Sequence, residues 1–411
     1  MRDWLAEAAR SRPDHPAVEA DDGAATYAQL DARASELARR LRVEPGQALE
    51  AALPSGLAFA DLLHALPRRG AALEPLAPGE PAPPLPLDAR PGAPPLRTEH
   101  PPEAVHTVIR TSGTTGEPKR VELTFGNQAA GVVAATDALG AEPGDRWLCP
   151  LPLHHVAGLN VLVRCAASAT TALLHERFDP ERVRAALEAG EATLASLVPT
   201  MLARLRDAGL GRVPGLRAIA LGGGPIPAGL LDWALETGIP VVPVYGMTET
   251  CSQIACGSPA RPLEGVELRV ANDGEVLVRG PMVSTGALAP DGWLHTGDTG
   301  RLDEQGRLHL TGRIKELIVT GGENVAPLEV EQALLAHPAV ADAGVAGVAD
   351  PDWGEAITAF VVLREPASGA ELRAWCRARL APHKVPKAVH AVDGLPRNAA
   401  GKLLRERLAR V

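Results

Sequence analysis

Twelve prolines fall within the thirty-six residues from Pro67 to Pro102, and no other stretch restricts this chain's backbone so severely. Proline fixes φ and carries no N–H, so the run predicts neither regular helix nor central strand. An extended connector is expected there, separating a small α/β start from the bulk of the chain. In that start, Tyr27-Ala28-Gln29-Leu30 leads into Asp31 to Leu41, where Leu30, Ala34, Leu37 and Leu41 recur at helical spacing.

The first motif beyond the connector is Thr111-Ser112-Gly113-Thr114-Thr115-Gly116-Glu117-Pro118-Lys119, set between the apolar runs Val105 to Ile109 and Val121 to Thr124. Two strands joined by a loop are the expected arrangement. Gly113 and Gly116 let the backbone approach an anion. The hydroxyls of Thr111, Ser112, Thr114 and Thr115 and the nearby N–H groups can donate to phosphate oxygens, and Lys119 supplies a point charge. The spacing is not that of a Walker A loop. A nucleotide triphosphate suits this chemistry; a Ser-, Thr- and Gly-rich surface hairpin is the structural alternative. Arg120 either adds a second cation or points to solvent from its strand.

With 411 residues, 45% hydrophobic and 22% charged, the chain has the composition of a globular protein of two or three domains. It has no apolar stretch of 18 residues, so no membrane span is expected, and its first residues lack the apolar core of a signal peptide. A cytoplasmic protein is expected. Cys149, Cys165, Cys251, Cys256 and Cys376 are an odd set without C-x-x-C spacing, which predicts free thiols. A net charge of −9 and the lack of any basic cluster argue against nucleic acid as a partner. Composition sets no oligomeric state.

Residues 126 to 312 alternate helical runs such as Pro180 to Ala189 with short apolar strands such as Ala218 to Leu221 and Val241 to Val244, the pattern of layered α/β structure. Between 265 and 310, alternating segments around Asn272-Asp273-Gly274 predict an antiparallel, barrel-like region. A second α/β unit starts after Lys315, with strand at Glu316 to Val319, helix at Pro327 to Ala336, strand at Ile357 to Leu363 and helix at Ala370 to Leu380.

Six further motifs follow the phosphate loop in order: Pro152-Leu153-His154-His155-Val156-Ala157-Gly158, Gly222-Gly223-Gly224-Pro225, Tyr245-Gly246-Met247-Thr248-Glu249-Thr250, Trp293-Leu294-His295-Thr296-Gly297-Asp298, Gly312-Arg313-Ile314-Lys315 and Pro396-Arg397-Asn398-Ala399-Ala400-Gly401-Lys402. Together they resemble the adenylate-forming (acyl-CoA synthetase, AMP-binding) superfamily, closely over residues 105 to 411 and loosely before. The resemblance implies a large N-terminal domain over 1–312, built of layered α/β sheets plus a small β-barrel. A small mobile α/β C-terminal domain over 316–411 would follow a hinge at 313–315. Relatives reach the phosphate loop some tens of residues later, so the Pro-rich segment is where structure is expected to be trimmed.

The resemblance also implies roles. ATP, Mg²⁺ and CoA are the implied cofactor and co-substrates, and a small carboxylic acid is the substrate. The loop from Thr111 to Gly116 with Lys119 would hold the β- and γ-phosphates; Glu249 and Thr114 would hold Mg²⁺; Thr248 and Glu249 would belong to the catalytic set. Tyr245 would stack on adenine beside Gly246 and Met247. Gly222, Gly223 and Gly224 either leave room for the base or form a flexible turn. Asp298 would accept the ribose hydroxyls with Arg313 beside it, His155 would gate the acyl pocket, Lys402 would be the catalytic lysine, and Gly321-Gly322 would meet CoA.

Within the superfamily, Thr124-Phe125-Gly126-Asn127, Ser196 to Leu202 and Gly246 to Ile254 look most like the o-succinylbenzoate:CoA ligases of menaquinone biosynthesis. Such a substrate has a second carboxylate, for which His155, Ser196, Thr200, Ser252 and Gln253 are the candidate partners. Another aryl- or acyl-CoA ligase, or a stand-alone enzyme that loads a carrier protein, shares most of these motifs.

Overall fold

The structure, a computed structural model, describes residues 1–87, 95–111, 118–397 and 403–410. Its largest element is a nine-stranded sheet. Six neighbouring strands within it are parallel, in the order Val241–Tyr245, Ala218–Leu221, Leu194–Leu197, Arg146–Cys149, Thr171–Leu174 and Pro16–Ala20. Their side chains are apolar at nearly every position, as strands covered by helices on both faces require. Trp147, Leu148, Leu194, Ile219 and Leu221 are all within 2% of complete burial.

A four-stranded sheet in the order Ala48–Ala52, Ala72–Leu76, Val105–Thr111, Lys119–Thr124 carries the phosphate segment. The two apolar runs do form antiparallel strands, paired up to Thr111↔Lys119. The Pro-rich stretch departs from the expectation. Pro67 lies in the last turn of helix Leu57–Arg68, and Pro75 lies in an inner strand whose five residues are all buried. Ala72–Leu76 pairs along its whole length with Ala48–Ala52, but its pairing with Val105–Thr111 is at Leu73↔Thr107. Pro75 thus lies past the paired stretch on that side, where its missing N–H costs no ladder bond.

The barrel-like region takes the form of an antiparallel meander, Glu267–Val270, Glu275–Arg279, Leu294–Leu302 and Leu308–Arg313, bridged to the large sheet's edge segment by Ala260↔Leu308. After the short turn Ile314–Glu316, a five-stranded sheet with helices Pro327–Leu335 and Gly369–Arg377 makes up the C-terminal part. Strand there begins at Ile318, because Ile314–Glu316 is a 3₁₀ turn. Among the described residues two larger apolar cores result, one running from Leu5 to Leu308 and the other from Ile318 to Val385, with a small third cluster of Ala346, Phe360 and Leu408. Among the described residues no helix is long and apolar enough to cross a membrane, and all five cysteines are free.

Candidate active site

The motifs converge because four neighbouring parallel strands end on the same edge. His154 and His155 follow Arg146–Cys149, Ser196 lies near the end of Leu194–Leu197 with Thr200 just beyond, Gly222 to Gly224 follow Ala218–Leu221, and Gly246 to Glu249 follow Val241–Tyr245. The carboxyl edge of a parallel sheet is where open α/β folds bind ligands.

Two contacts join this edge to the other sheets. The Tyr245 hydroxyl donates to Asp298 Oδ2 at 2.8 Å, and Arg313 Nε donates to Asp298 Oδ1 at 2.6 Å, Asp298 and Arg313 being cross-strand partners in the meander. Asp298 is 7% exposed, and each of its oxygens keeps a second lone pair for a ligand hydroxyl. Burial, reinforced by the neighbouring Asp298 carboxylate, raises the Tyr245 phenol well above its ordinary value, so it remains a donor. On the other side, Lys119 Nζ lies 3.7 Å from Glu249 Oε1, across 130 residues of chain. Thr248 and Glu249 sit on a 3₁₀ turn whose loop is held by Ser284 N–H donating to the Glu249 carbonyl at 2.8 Å.

Gly246 is required by close approach. A Cβ there would lie 1.8 Å from the Ser252 carbonyl oxygen, so no side chain fits where the loop folds back. At Gly222 a Cβ would meet Val244 at 2.6 Å. The neighbouring strand therefore demands that glycine, whatever stands in the pocket. The stretch Thr124 to Asn127 is a helix start: Thr124 and Asn127 form a reciprocal cap on helix Phe125–Leu139, and Asn127 Nδ2 also donates to the carbonyls of Pro281 and Val283.

The residues expected on the acyl side are held differently. His155 opens helix Val156–Ser168, and burial, with the His154 ring tilted against it at 4.3 Å between centroids, lowers it to about 4. It is a neutral imidazole at pH 7. Ser196 Oγ accepts the Trp147 indole N–H at 2.9 Å. Gln253 is 1% exposed, and its Nε2 has no hydrogen-bond partner among the described residues. Ser252 adopts φ 89°, part of the tight turn after Glu249. Thr200 lies in the first turn of helix Pro199–Asp207.

Sequence reasoning passed over Arg164. It sits on helix Val156–Ser168, 3% exposed, 5.5 Å over the Trp147 ring, with Nε and Nη2 unpartnered among the described residues. Burial lowers it to about 10. The nearby thiols of Cys149 and Cys165 are pushed by burial up to about 12, and that of Cys251 higher still, so none supplies a counter-charge. One turn earlier on the helix, Asn160 donates from Nδ2 to the Cys251 carbonyl at 2.7 Å and leaves Oδ1 unpartnered among the described residues. Its signal in the sequence is a single cation inside the apolar run Val161 to Ala167.

Ser112, Gly113, Thr114, Thr115, Gly116 and Lys402 lie outside the described residues. The flanks of each segment are described. Thr111 Oγ1 donates to the Lys119 carbonyl at 3.3 Å. Around Lys402, Arg397 bridges Leu403, Arg397 Nη2 grips both Asp342 oxygens at 2.8 Å, and Arg405 bonds Glu331 and, at 3.1 Å, Glu316. Gly321 and Gly322 form the turn between strands Ile318–Thr320 and Glu323–Val325, with Gly321 against the Trp353 ring. Arg120 points at neither solvent nor phosphate alone: its guanidinium pairs with Glu74.

The AMP-binding enzyme family matches residues 80–288, and the AMP-binding enzyme C-terminal domain matches residues 329–402. The chain belongs to the AMP-binding enzyme family. It is 44% identical over 340 residues to the 2-succinylbenzoate–CoA ligase of Bacillus licheniformis, covering 74% of this chain and 71% of that one. With the ligase of the same name from Bacillus cereus it shares 36% identity over 471 residues, 99% and 98% of the two chains. Its fold is similar to o-succinylbenzoate CoA synthetase of Bacillus subtilis in complex with the acyl-adenylate intermediate, with a TM-score of 0.87, 34% identity and coverage of 99% and 98%. The same enzyme solved with ATP and magnesium ion gives a TM-score of 0.87.

Proposed function

We propose that this chain is an ATP-dependent o-succinylbenzoate:CoA ligase that works through an acyl-adenylate, as in menaquinone biosynthesis, in the cytoplasm. The observation that carries the substrate is Arg164. A buried guanidinium without a counter-charge is costly. A dicarboxylic acid supplies the missing anion, with Gln253 Nε2 as a further donor. The five free thiols fit a reducing compartment.

At the nucleotide end, Asp298 takes the ribose hydroxyls while Tyr245 and Arg313 hold its orientation. Glu249 offers a hard oxygen beside the phosphate lysine, which fits Mg²⁺, an ion that takes a carboxylate or two and completes its shell with phosphate and water. That ion, when bound, would supply neutralisation of triphosphate charge. The acid's carboxylate oxygen attacks the α-phosphorus, the bond to pyrophosphate breaks, and acyl-AMP forms. Lys119 and Lys402 meet the charge that develops, which is electrostatic stabilisation by positioned groups. The CoA thiol, losing its proton, then attacks the acyl carbonyl and AMP leaves.

Two opposed tethers support reading 313–315 as the hinge. Arg313 is bound back to Asp298, whereas Glu316 is bound forward to Arg405. Rotation between them would carry the Lys402 segment, tied by Arg397 and Arg405, with the C-terminal unit, and bring the Gly321-Gly322 turn towards CoA.

Pyrophosphate release against a panel of acids, with and without CoA, tests this reading. o-Succinylbenzoate is expected to give the highest kcat/KM, with thioester formed only when CoA is present. Faster activation of benzoate or medium-chain fatty acids would overturn the substrate, and acyl transfer to a carrier protein in preference to CoA would overturn the acceptor.

A further inference from the structure

Four charged side chains cross the sheet behind the phosphate segment, one on each successive strand: Glu50, Glu74, Arg110 and Arg120. Register pairs Glu50 with Glu74 and Arg110 with Arg120. Glu74 Oε1 accepts from Arg110 Nε at 2.7 Å and from Arg120 Nε at 3.2 Å, while Oε2 accepts from Arg120 Nη2 at 2.6 Å. Arg110 also donates to Glu50. The Glu74 side chain is 2% exposed, so the two guanidiniums are what make its charge tolerable there. The next register pair is Thr111↔Lys119, where the phosphate segment leaves the sheet and returns.

Successive side chains of a strand point to opposite faces. Holding Arg120 on the Glu74 face therefore turns Lys119 to the other face, where its Nζ stands 3.7 Å from Glu249. We infer that Glu74 is a positioning residue for the triphosphate of ATP, fixing through Arg110 and Arg120 the strand ends that aim Lys119. This inference rests on reading Lys119 and its loop as the triphosphate site. Arg120 is thereby a strut, and the phosphate charge is met by Lys119.

The test measures ATP KM in pyrophosphate release and, separately, thioester formation from preformed acyl-adenylate and CoA. The thioester step runs after pyrophosphate has gone, so a merely structural defect would lower both. Glu74→Gln is expected to raise ATP KM about tenfold or more, by the sensitivity of catalysis to small misplacements, leaving o-succinylbenzoate KM and the thioester step unchanged. Arg120→Gln, at a half-exposed side chain, is expected to raise ATP KM less, since Arg110 still holds Glu74; it carries the test if Glu74→Gln does not fold. An unchanged or lowered ATP KM in Glu74→Gln, a larger effect from Arg120→Gln, or equal loss in both steps would overturn the inference. A wild-type enzyme that does not saturate with ATP would instead overturn the reading of the site.

Discussion

The two ends of the site differ in how their polar groups are satisfied. At the proposed nucleotide end the described charged groups are paired with one another: Asp298 holds Tyr245 and Arg313, and Lys119 faces Glu249. At the proposed acyl end Arg164, Gln253 and Asn160 keep buried atoms without partners among the described residues. Buried polar groups in folded proteins are almost always hydrogen-bonded, and although Arg69, His106, Thr136, His175 and Thr320 also keep buried side-chain atoms without a hydrogen bond among the described residues, Arg164 is the exception that suits an anionic ligand on the proposed reading. On the proposed reading, the nucleotide end is preorganised and the acyl end is primed for an anion.

The sharpest way to break this contrast is Arg164→Met. Loss of the buried cation is expected to cost substrate binding about 3 kcal/mol, roughly a hundredfold in kcat/KM for o-succinylbenzoate, with ATP KM little changed. The ligand-free enzyme should melt no lower than wild type, because an uncompensated charge has been replaced by an apolar side chain. A drop in thermal stability with no change in acid kinetics would make Arg164 a structural residue.

Asp298→Ala probes the other end. It unpairs Tyr245 and Arg313 and removes the ribose acceptor, costing about 1.5 to 3 kcal/mol and raising ATP KM about tenfold or more while acid KM stays. Unchanged ATP dependence would remove the ribose assignment.

Much of the proposed nucleotide end was legible in the sequence, since its residues sit in short motifs at strand ends, and the resemblance carried by those motifs assigned Tyr245, Glu249 and Asp298 to one expected ligand. Other features were not. Pro75 reads as a strand breaker, and only the partial pairing of its neighbour lets it lie inside a sheet. Arg120 reads as phosphate ligand or solvent side chain, because its partner Glu74 is 46 residues away. Arg164 reads as one cation on an apolar helix, and its lack of a carboxylate partner among the described residues is a property of tertiary packing.

A pH titration sharpens the comparison further. His155 is held by burial, chiefly, at about 4, so acid KM should show no break near pH 6.5. Stability should show one. Burial also holds His64 at about 4 and His106 at about 3. Each binds its proton more tightly when unfolded, so stability is complete above pH 6.5. It falls as pH drops towards 4, by about 1.4 kcal/mol per unit for each histidine. Melting temperatures between pH 7 and 5 check this, and a flat curve would contradict it. The smallest effect is expected from Ser196→Ala, whose hydroxyl is already taken by Trp147. It should cost about 1 kcal/mol of stability and alter acid KM less than about threefold.

The most direct measurement compares pyrophosphate release with o-succinylbenzoate and with the mono-acid that lacks its non-activated carboxylate, in wild type and in Arg164→Met. Wild type is predicted to prefer the dicarboxylate by roughly a hundredfold, the value of one buried charge pair. The variant is predicted to lose that preference while keeping its ATP KM. An equal preference in both enzymes would show that the second carboxylate is held elsewhere and would contradict the contrast between the two ends.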